Sequence, residues 1–125
     1  MLDKITYLET KTEKHPMAFT LNVMEALQEK YGNLNKWANL AQKSEEPDIK
    51  ALKFFMTESI NEGIEIENEK HGEKRKLLNP KQVGRILTEV GFSNLTEKIE
   101  SVVSGSVRTD STSKNALPTK NQTGN

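Results

Sequence analysis

The sequence predicts a mainly α-helical domain of four to five short helices with a small N-terminal β-hairpin, in residues 1–103, and a disordered polar tail in residues 104–125. Between residues 20 and 103, apolar side chains recur every three or four positions between capping residues and glycines, as in short amphipathic helices. Residues 2–19 carry β-prone side chains without that spacing. The tail has no aromatic and almost no apolar side chain, so it cannot bury enough surface to fold.

The composition is that of one small domain. The chain has 125 residues, no cysteine, and 18 acidic against 18 basic groups. Without cysteine there is no disulfide framework or thiol nucleophile, and zero net charge gives no overall attraction to nucleic acid or anionic lipid. No apolar run reaches the roughly 18 residues of a membrane span, and the first residues lack the pattern of a signal peptide. We therefore expect a small soluble intracellular domain with no membrane association.

The first expected element is the β-hairpin. Tyr7 and Leu8 lie among threonines, which suits a strand. The polar run Glu9–Lys14 would form the turn, and His15–Phe19 would form the second strand. Because Pro16 has no N–H to donate to a neighbouring strand, it predicts an edge strand or the start of a strand.

Two helices are expected next. Thr20 suits the N-cap of a helix over Leu21–Tyr31, and Gly32 supplies a left-handed residue that ends it. Apolar side chains at every fourth position give this helix one buried stripe. A shorter helix over Leu34–Gln42 would present Trp37 and two alanines to the core.

The third helix is the most apolar part of the chain, so we place it at the centre of the fold. It is expected over Pro47–Glu62, with the proline in the first turn, where it costs no hydrogen bond, and with Gly63 at its end. Its inward stripe would consist of Ile49, Leu52, Phe55 or Met56, and Ile60. Residues 64–78 show no helical spacing and predict a long loop or a short strand pair, with a turn at Gly72.

The clearest helix start in the sequence lies at Asn79. A proline follows in the first helical position and Gln82 lies three residues after the cap, which is the pattern of a capping box. This helix should end at Gly91. The capping pattern repeats at Asn94, and the last helix should end near Val103.

No catalytic or metal-binding constellation is recognisable. His15 and His71 belong to no metal or nucleophile motif, so we expect them at the surface or in turns. The acidic residues of Glu62–Glu69 lack calcium-loop spacing, which favours an acidic surface paired with the basic run Lys70–Lys76 over a metal site. Gly84 stands alone inside a predicted helix, where a close helix–helix contact or chance would explain it. The sequence therefore predicts no enzyme activity, no cofactor and no metal.

Residues 79–103 suggest an alternative function. Two helices joined at Gly91 resemble a helix-turn-helix in outline, with Lys81 and Arg85 on the first helix. A recognition helix needs basic and amide side chains, whereas the second helix carries more glutamate than lysine. A small DNA-binding regulator is therefore kept as the alternative, although the acidic balance argues against nucleic acid as a partner.

Four aromatic residues are candidates for a partner-binding surface: Tyr31, Trp37, Phe54 and Phe55. Short amphipathic helices that one small core cannot cover completely leave an apolar face for a partner. Burial in the core is the competing interpretation for each of them.

Four segments follow one another in a distinctive order. They are ITYLE from residue 5, HPMAFTLNVMEALQEKYGNLNKW from residue 15, EPDIKALKFFMTESINEG from residue 46, and LNPKQVGRILTEVG from residue 78. This succession resembles the small tail assembly chaperones of long-tailed phages and prophages, most of all those of Gram-positive hosts. The resemblance covers about residues 2–103. In one departure, residues 9–14 lack the glycine expected in the hairpin turn of this family.

The resemblance implies a non-enzymatic protein of the host bacterial cytoplasm that is absent from the mature virion. Such chaperones coat the long helical tape measure protein and recruit tail tube subunits around it during tail morphogenesis. A small helical protein with an apolar groove would cover the amphipathic helices of that polymer by helix-in-groove packing. The resemblance also implies self-association and a longer form made by ribosomal frameshifting as further expectations.

Overall fold

The computed structural model describes residues 5–42 and 47–110 of the chain. Within these ranges it has a two-stranded antiparallel hairpin followed by five helices, which confirms the predicted fold class. The elements are β1 (Thr6–Glu9), β2 (Lys14–Met17), α1 (Leu21–Tyr31), α2 (Leu34–Ala41), α3 (Ile49–His71), α4 (Pro80–Val90) and α5 (Phe92–Asp110). The start of the segment 2–19 that is predicted to be β, the residues between the second and third predicted helices, and the predicted tail beyond Asp110 lie wholly or partly outside the described residues.

The hairpin turns without a glycine. β1 and β2 pair antiparallel, with Leu8 opposite His15. At the turn, the Thr10 N–H donates to the Glu13 carbonyl oxygen at 2.9 Å, and the Thr10 hydroxyl oxygen accepts from the Glu13 N–H at 3.1 Å. A threonine hydroxyl can close a turn in this way, so the hairpin forms although the expected glycine is missing.

His15 is buried. It lies on the same face of the hairpin as Leu8 and Met17, and only 6% of its surface is exposed. Its Nε2 lies 3.9 Å from a carboxylate oxygen of Glu13. The expectation of a surface histidine is therefore wrong for His15, because β2 packs on α3 instead of lying in solvent. His71 is exposed at the end of α3, as predicted.

Two helix starts follow the predicted caps. At the start of α1, the Thr20 hydroxyl oxygen accepts from the Val23 N–H at 3.5 Å. At the start of α4, Asn79 and Gln82 form the capping box, with hydrogen bonds of 2.8 and 2.9 Å. Gly32 ends α1 at φ +98°, a conformation that favours glycine. Both helices are therefore determined by local sequence.

α3 is longer than predicted. Asp48 caps it, so Pro47 precedes the helix instead of lying in its first turn. The helix continues through Gly63 and ends only at Gly72, which has φ +67°. The predicted end at Gly63, and the loop or strand pair predicted from residue 64 to the end of α3, are therefore wrong.

Gly63 serves packing instead of ending the helix. A Cβ atom at this position would lie 2.6 Å from the carbonyl carbon of Pro16 and 2.8 Å from the nitrogen of Met17. β2 therefore crosses α3 with backbone against backbone, and the Ala18 N–H donates to the carbonyl oxygen of Ser59 at 3.0 Å. Glycine is required here because any side chain would separate the two elements.

The core lies where β2, α1, α2 and α4 meet α3. Trp37 stacks on Phe55 with ring centroids 4.8 Å apart, and its Nε1–H donates to the Ala51 carbonyl oxygen at 2.9 Å. Phe19 contacts Phe55 with a centroid distance of 5.8 Å. The predicted inward stripe of α3 is buried at Leu52, Phe55, Met56 and Ile60. Its first member, Ile49, is 54% exposed, so that part of the prediction is wrong.

α5 continues past its predicted end near Val103 to Asp110. Leu95, Ile99 and Val102 are buried, which places one face of the helix against the rest of the domain. Among the residues with described positions, no helix is long and apolar enough to cross a bilayer.

Replacing Gly63 by alanine is expected to lower the free energy of unfolding by about 1–3 kcal/mol, because the added Cβ forces β2 away from α3. Gly84→Ala is the matched control. The nearest atom to its Cβ would be in the flexible Lys53 side chain, at 3.5 Å, and alanine is about 1 kcal/mol better than glycine within a helix. Urea denaturation followed by Trp37 fluorescence measures both changes. A Gly63→Ala variant as stable as the wild type would contradict the role given to the close approach.

Candidate functional site

An open apolar pocket lies between the N-terminal half of α3, α4 and the start of α5. Its volume is about 260 Å³. α3 supplies Ile49, Leu52 and Lys53, α4 supplies Gly84, Leu87 and Thr88, and the junction of α4 with α5 supplies Gly91 and Leu95. The three leucines are buried and Ile49 is exposed at the opening. We call this site the α3–α4 pocket, and its lining suits an apolar group.

Glycines leave the α3–α4 pocket open. The nearest neighbours of a Cβ atom at Gly84 would be atoms of the flexible Lys53 side chain, at 3.5 Å and beyond, so no close helix–helix contact requires this glycine. Gly91 joins α4 directly to α5 at φ +91°, and a Cβ there would meet nothing within 4 Å. The positive φ favours glycine at this junction. The pocket is therefore a space that side chains of ordinary size would reduce.

Two asparagines of α3 hold the connection that brings α4 beside it. The Asn68 amide donates to the Arg75 carbonyl oxygen at 3.0 Å and accepts from the Arg75 N–H at 3.2 Å. Asn61 makes the same pair of bonds with Leu78, at 2.9 and 2.8 Å. The asparagines are about 10 Å apart along the helix, which matches about 10 Å for three residues of extended chain. Residues 73–79 therefore run back along α3 and deliver α4 to the pocket.

The acidic residues of α3 make structural contacts. The Glu67 carboxylate accepts from the Tyr7 hydroxyl and from Arg75 Nη1, the latter at 3.3 Å. The hydrogen bond to Glu67 raises the pKa of the Tyr7 hydroxyl. The Glu62 carboxylate accepts from the Thr20 hydroxyl at 2.6 Å. Over residues 5–42 and 47–110, no group of three or more histidine, cysteine or acidic side chains is arranged to hold a metal ion.

The four aromatic candidates for partner binding divide into two pairs. Trp37 and Phe55 are 1% and 0% exposed, so they belong to the core and are closed to a partner. Tyr31 and Phe54 are half-buried and form an edge-to-face pair with ring centroids 5.8 Å apart. Lys30 Nζ lies 5.2 Å from the centre of the Phe54 ring, and burial raises the pKa of Tyr31. None of the four lines the α3–α4 pocket.

Sequence reasoning missed the pocket because its walls are built from ordinary aliphatic residues. Leu52, Leu87 and Leu95 fit helical stripes and read as plain core positions. One feature of the sequence pointed to the pocket. Gly84 lies inside a helix, where it costs about 1 kcal/mol relative to alanine, and no cap or turn at that position requires a glycine. In the structure, the absence of a side chain at Gly84 leaves space in the α3–α4 pocket.

α4 and α5 keep the charge distribution that the sequence indicated. Lys81 and Arg85 are exposed on α4, whereas Glu97 and Glu100 are exposed on α5. The second helix of this pair therefore presents acidic side chains, which repel phosphate. The DNA-binding alternative for residues 79–103 stays a prediction.

Comparisons with family models, with curated proteins and with solved structures found no match to this chain. The fold and its pocket define a class of protein: a small, mainly α domain with an N-terminal hairpin and an open aliphatic pocket between helices. Together with the order of the sequence segments, these features are the basis for assigning a function.

Replacing Asn61 by aspartate keeps the acceptor for the Leu78 N–H but removes the donor to the Leu78 carbonyl oxygen. Replacing it by alanine removes both. We expect either change to lower the free energy of unfolding by about 1–3 kcal/mol and to accelerate hydrogen exchange of the Leu78 amide. Asn68→Ala serves as the control. It removes the more exposed pair of hydrogen bonds, to Arg75, and should have the smaller effect. If the Leu78 amide of Asn61→Ala exchanges at the wild-type rate, the hydrogen bonds of Asn61 do not hold the connection.

Proposed function

We propose that this protein is a non-enzymatic tail assembly chaperone of a long-tailed phage or prophage. It coats the tape measure protein and recruits tail tube subunits during tail morphogenesis. The order of the four sequence segments supports the family, and the structural observation that carries the proposal is the α3–α4 pocket. An open aliphatic pocket between helices suits an apolar side chain of a helical partner.

The size of the pocket suits one large apolar side chain. Pockets for small molecules usually measure about 300–1,000 Å³, and this one, at about 260 Å³ and open to solvent, lies close to the lower end of that range. An enclosed cavity of about 150 Å³ holds benzene, so one bulky side chain fits. Exposed Ile49 extends the apolar surface beyond the opening. The site therefore suits an anchor residue on a larger partner.

The proposed task requires contacts of this modest kind. A tape measure protein is a long amphipathic helical polymer whose apolar faces would aggregate before the tube encloses them. A coat must cover those faces and still leave as the tube grows, which calls for a small interface. In this proposal the protein acts in the host bacterial cytoplasm and is absent from the mature virion. Self-association and a frameshifted longer form are further parts of the same proposal.

In cells that produce phage tails, the tagged full-length chain is expected to co-purify with the tape measure or tail tube protein. Mass spectrometry of the captured proteins and of purified virions measures this. Ile49→Glu should reduce recovery, because it places a charge at the pocket opening. Leu21→Glu is the matched control: Leu21 is equally exposed but lies at the start of α1, away from the pocket.

Recovery of neither tail protein by the wild-type chain would overturn the proposal. A gel shift at low salt tests the alternative. DNA binding that weakens steeply as salt rises would support a regulator that uses residues 79–103.

A further inference from the structure

The α3–α4 pocket has a positively charged rim. Lys53 lines the pocket, and the exposed Lys50 lies about one turn before it on α3. On α4, the exposed Lys81 and Arg85 each precede a pocket residue by three positions, so they lie beside the edge of the pocket that Gly84 and Thr88 form. Basic groups therefore lie near the apolar lining on both α3 and α4.

These cations are not neutralised within the described parts of the chain. None of the ion pairs found there involves Lys50, Lys53, Lys81 or Arg85. Two carboxylates lie nearby and keep their charge: Asp48 caps α3, and Glu89 accepts from the Lys11 N–H at 3.1 Å on the hairpin side. Four basic groups against these two acids still leave the surroundings of the pocket positive. The chain has zero net charge overall, so the positive rim is a local feature and not a consequence of composition.

The lining of the pocket is mostly apolar and needs no polar group from a ligand. The Thr88 hydroxyl, one of the few polar groups in the pocket, donates to the Gly84 carbonyl oxygen at 2.9 Å. The other walls are leucine, isoleucine and glycine apart from Lys53. An occupant therefore needs an apolar group at its centre and negative charge around it.

We infer that the α3–α4 pocket binds an acidic amphipathic helix of another polypeptide. A large apolar side chain of that helix enters the pocket, and aspartate or glutamate about one turn to either side meets the cations of the rim. Charge complementarity selects an acidic helix over a basic one, and the one-turn spacing follows from helix geometry. This inference rests on the proposed function, since the helix is a segment of the protein that the chaperone coats.

Titration of the 15N-labelled full chain with a designed helical peptide tests the inference. The probe is about 20 residues long, because shorter isolated helices are marginal in water, and it carries one central leucine with glutamates three and four positions to either side. Two matched peptides replace the glutamates by lysines or the leucine by alanine. The acidic peptide should shift the backbone amides of Gly84, Thr88 and Gly91. Each matched peptide should bind at least about tenfold more weakly.

Variants of the protein provide the second arm. Arg85→Glu reverses one rim charge and Gly84→Leu fills the pocket, and each should weaken the acidic peptide about tenfold or more. Lys74→Glu is the control, since Lys74 is exposed on the α3–α4 connection and does not line the pocket. Trp37 fluorescence verifies that every variant retains the core. A peptide affinity that neither Arg85→Glu nor Gly84→Leu changes would overturn the inference.

The same variants separate this inference from the proposed function. If Arg85→Glu and Gly84→Leu recover tail proteins as well as the wild type does, the chaperone role stands and the pocket assignment fails. If the wild type recovers no tail protein, the chaperone role fails whatever the peptides show. Dimerisation of the free chain that shifts the same amides without peptide would assign the pocket to a second copy, which also overturns the inference.

Discussion

The close approach of β2 to α3 at Gly63 is the constraint on which the rest of the fold depends. β2, α1, α2 and α4 all pack against α3, so the position of the hairpin on this helix fixes how the chain enters the core. The contact needs both a helical backbone and no side chain at Gly63, since a Cβ there would lie 2.6 Å from the Pro16 carbonyl carbon. Glycine costs about 1 kcal/mol inside a helix. Burial of the whole Met17 side chain offsets that cost, at about 1.5–3 kcal/mol.

The elements that could be predicted from the sequence are those with local causes. α1 and α4 have caps that act within one turn, and both begin where the caps indicate. Gly63 and Gly72 look alike in the sequence, but only Gly72 has a positive φ, and the reason for Gly63 lies in distant β2. The helical spacing of buried residues beyond Gly63 was also hard to recognise in the sequence, because a glutamate occupies one of the inward positions. After the buried Ile64, the next inward position is Glu67, whose side chain is only 12% exposed because Tyr7 and Arg75 pair with it.

The candidate site was harder to predict than the fold, since it depends on where side chains are small or absent. Trp37 and Phe55 were candidates for a surface, yet large aromatic rings contribute most to a small core, and the structure uses both there. The pocket forms instead where Gly84 and Gly91 leave space beside aliphatic walls. Three helices must first be placed before such a space exists. The hydrogen bonds of Asn61 and Asn68 that place α4 join residues 17 and 7 positions apart, beyond the reach of a helical spacing rule.

Energy scales connect the pocket to the proposed role. One large apolar side chain contributes about 1.5–3 kcal/mol on burial, and each exposed ion pair at the rim adds about 0.2–1 kcal/mol. Association itself costs at least about 4 kcal/mol, so a single pocket holds a free helix only weakly. Many copies bound along one polymer gain from effective concentration, while each copy can still be displaced separately. A weak site that holds one apolar side chain therefore suits the proposed role. The chaperone copies must cover the whole polymer before the tube grows, and they must then leave one at a time.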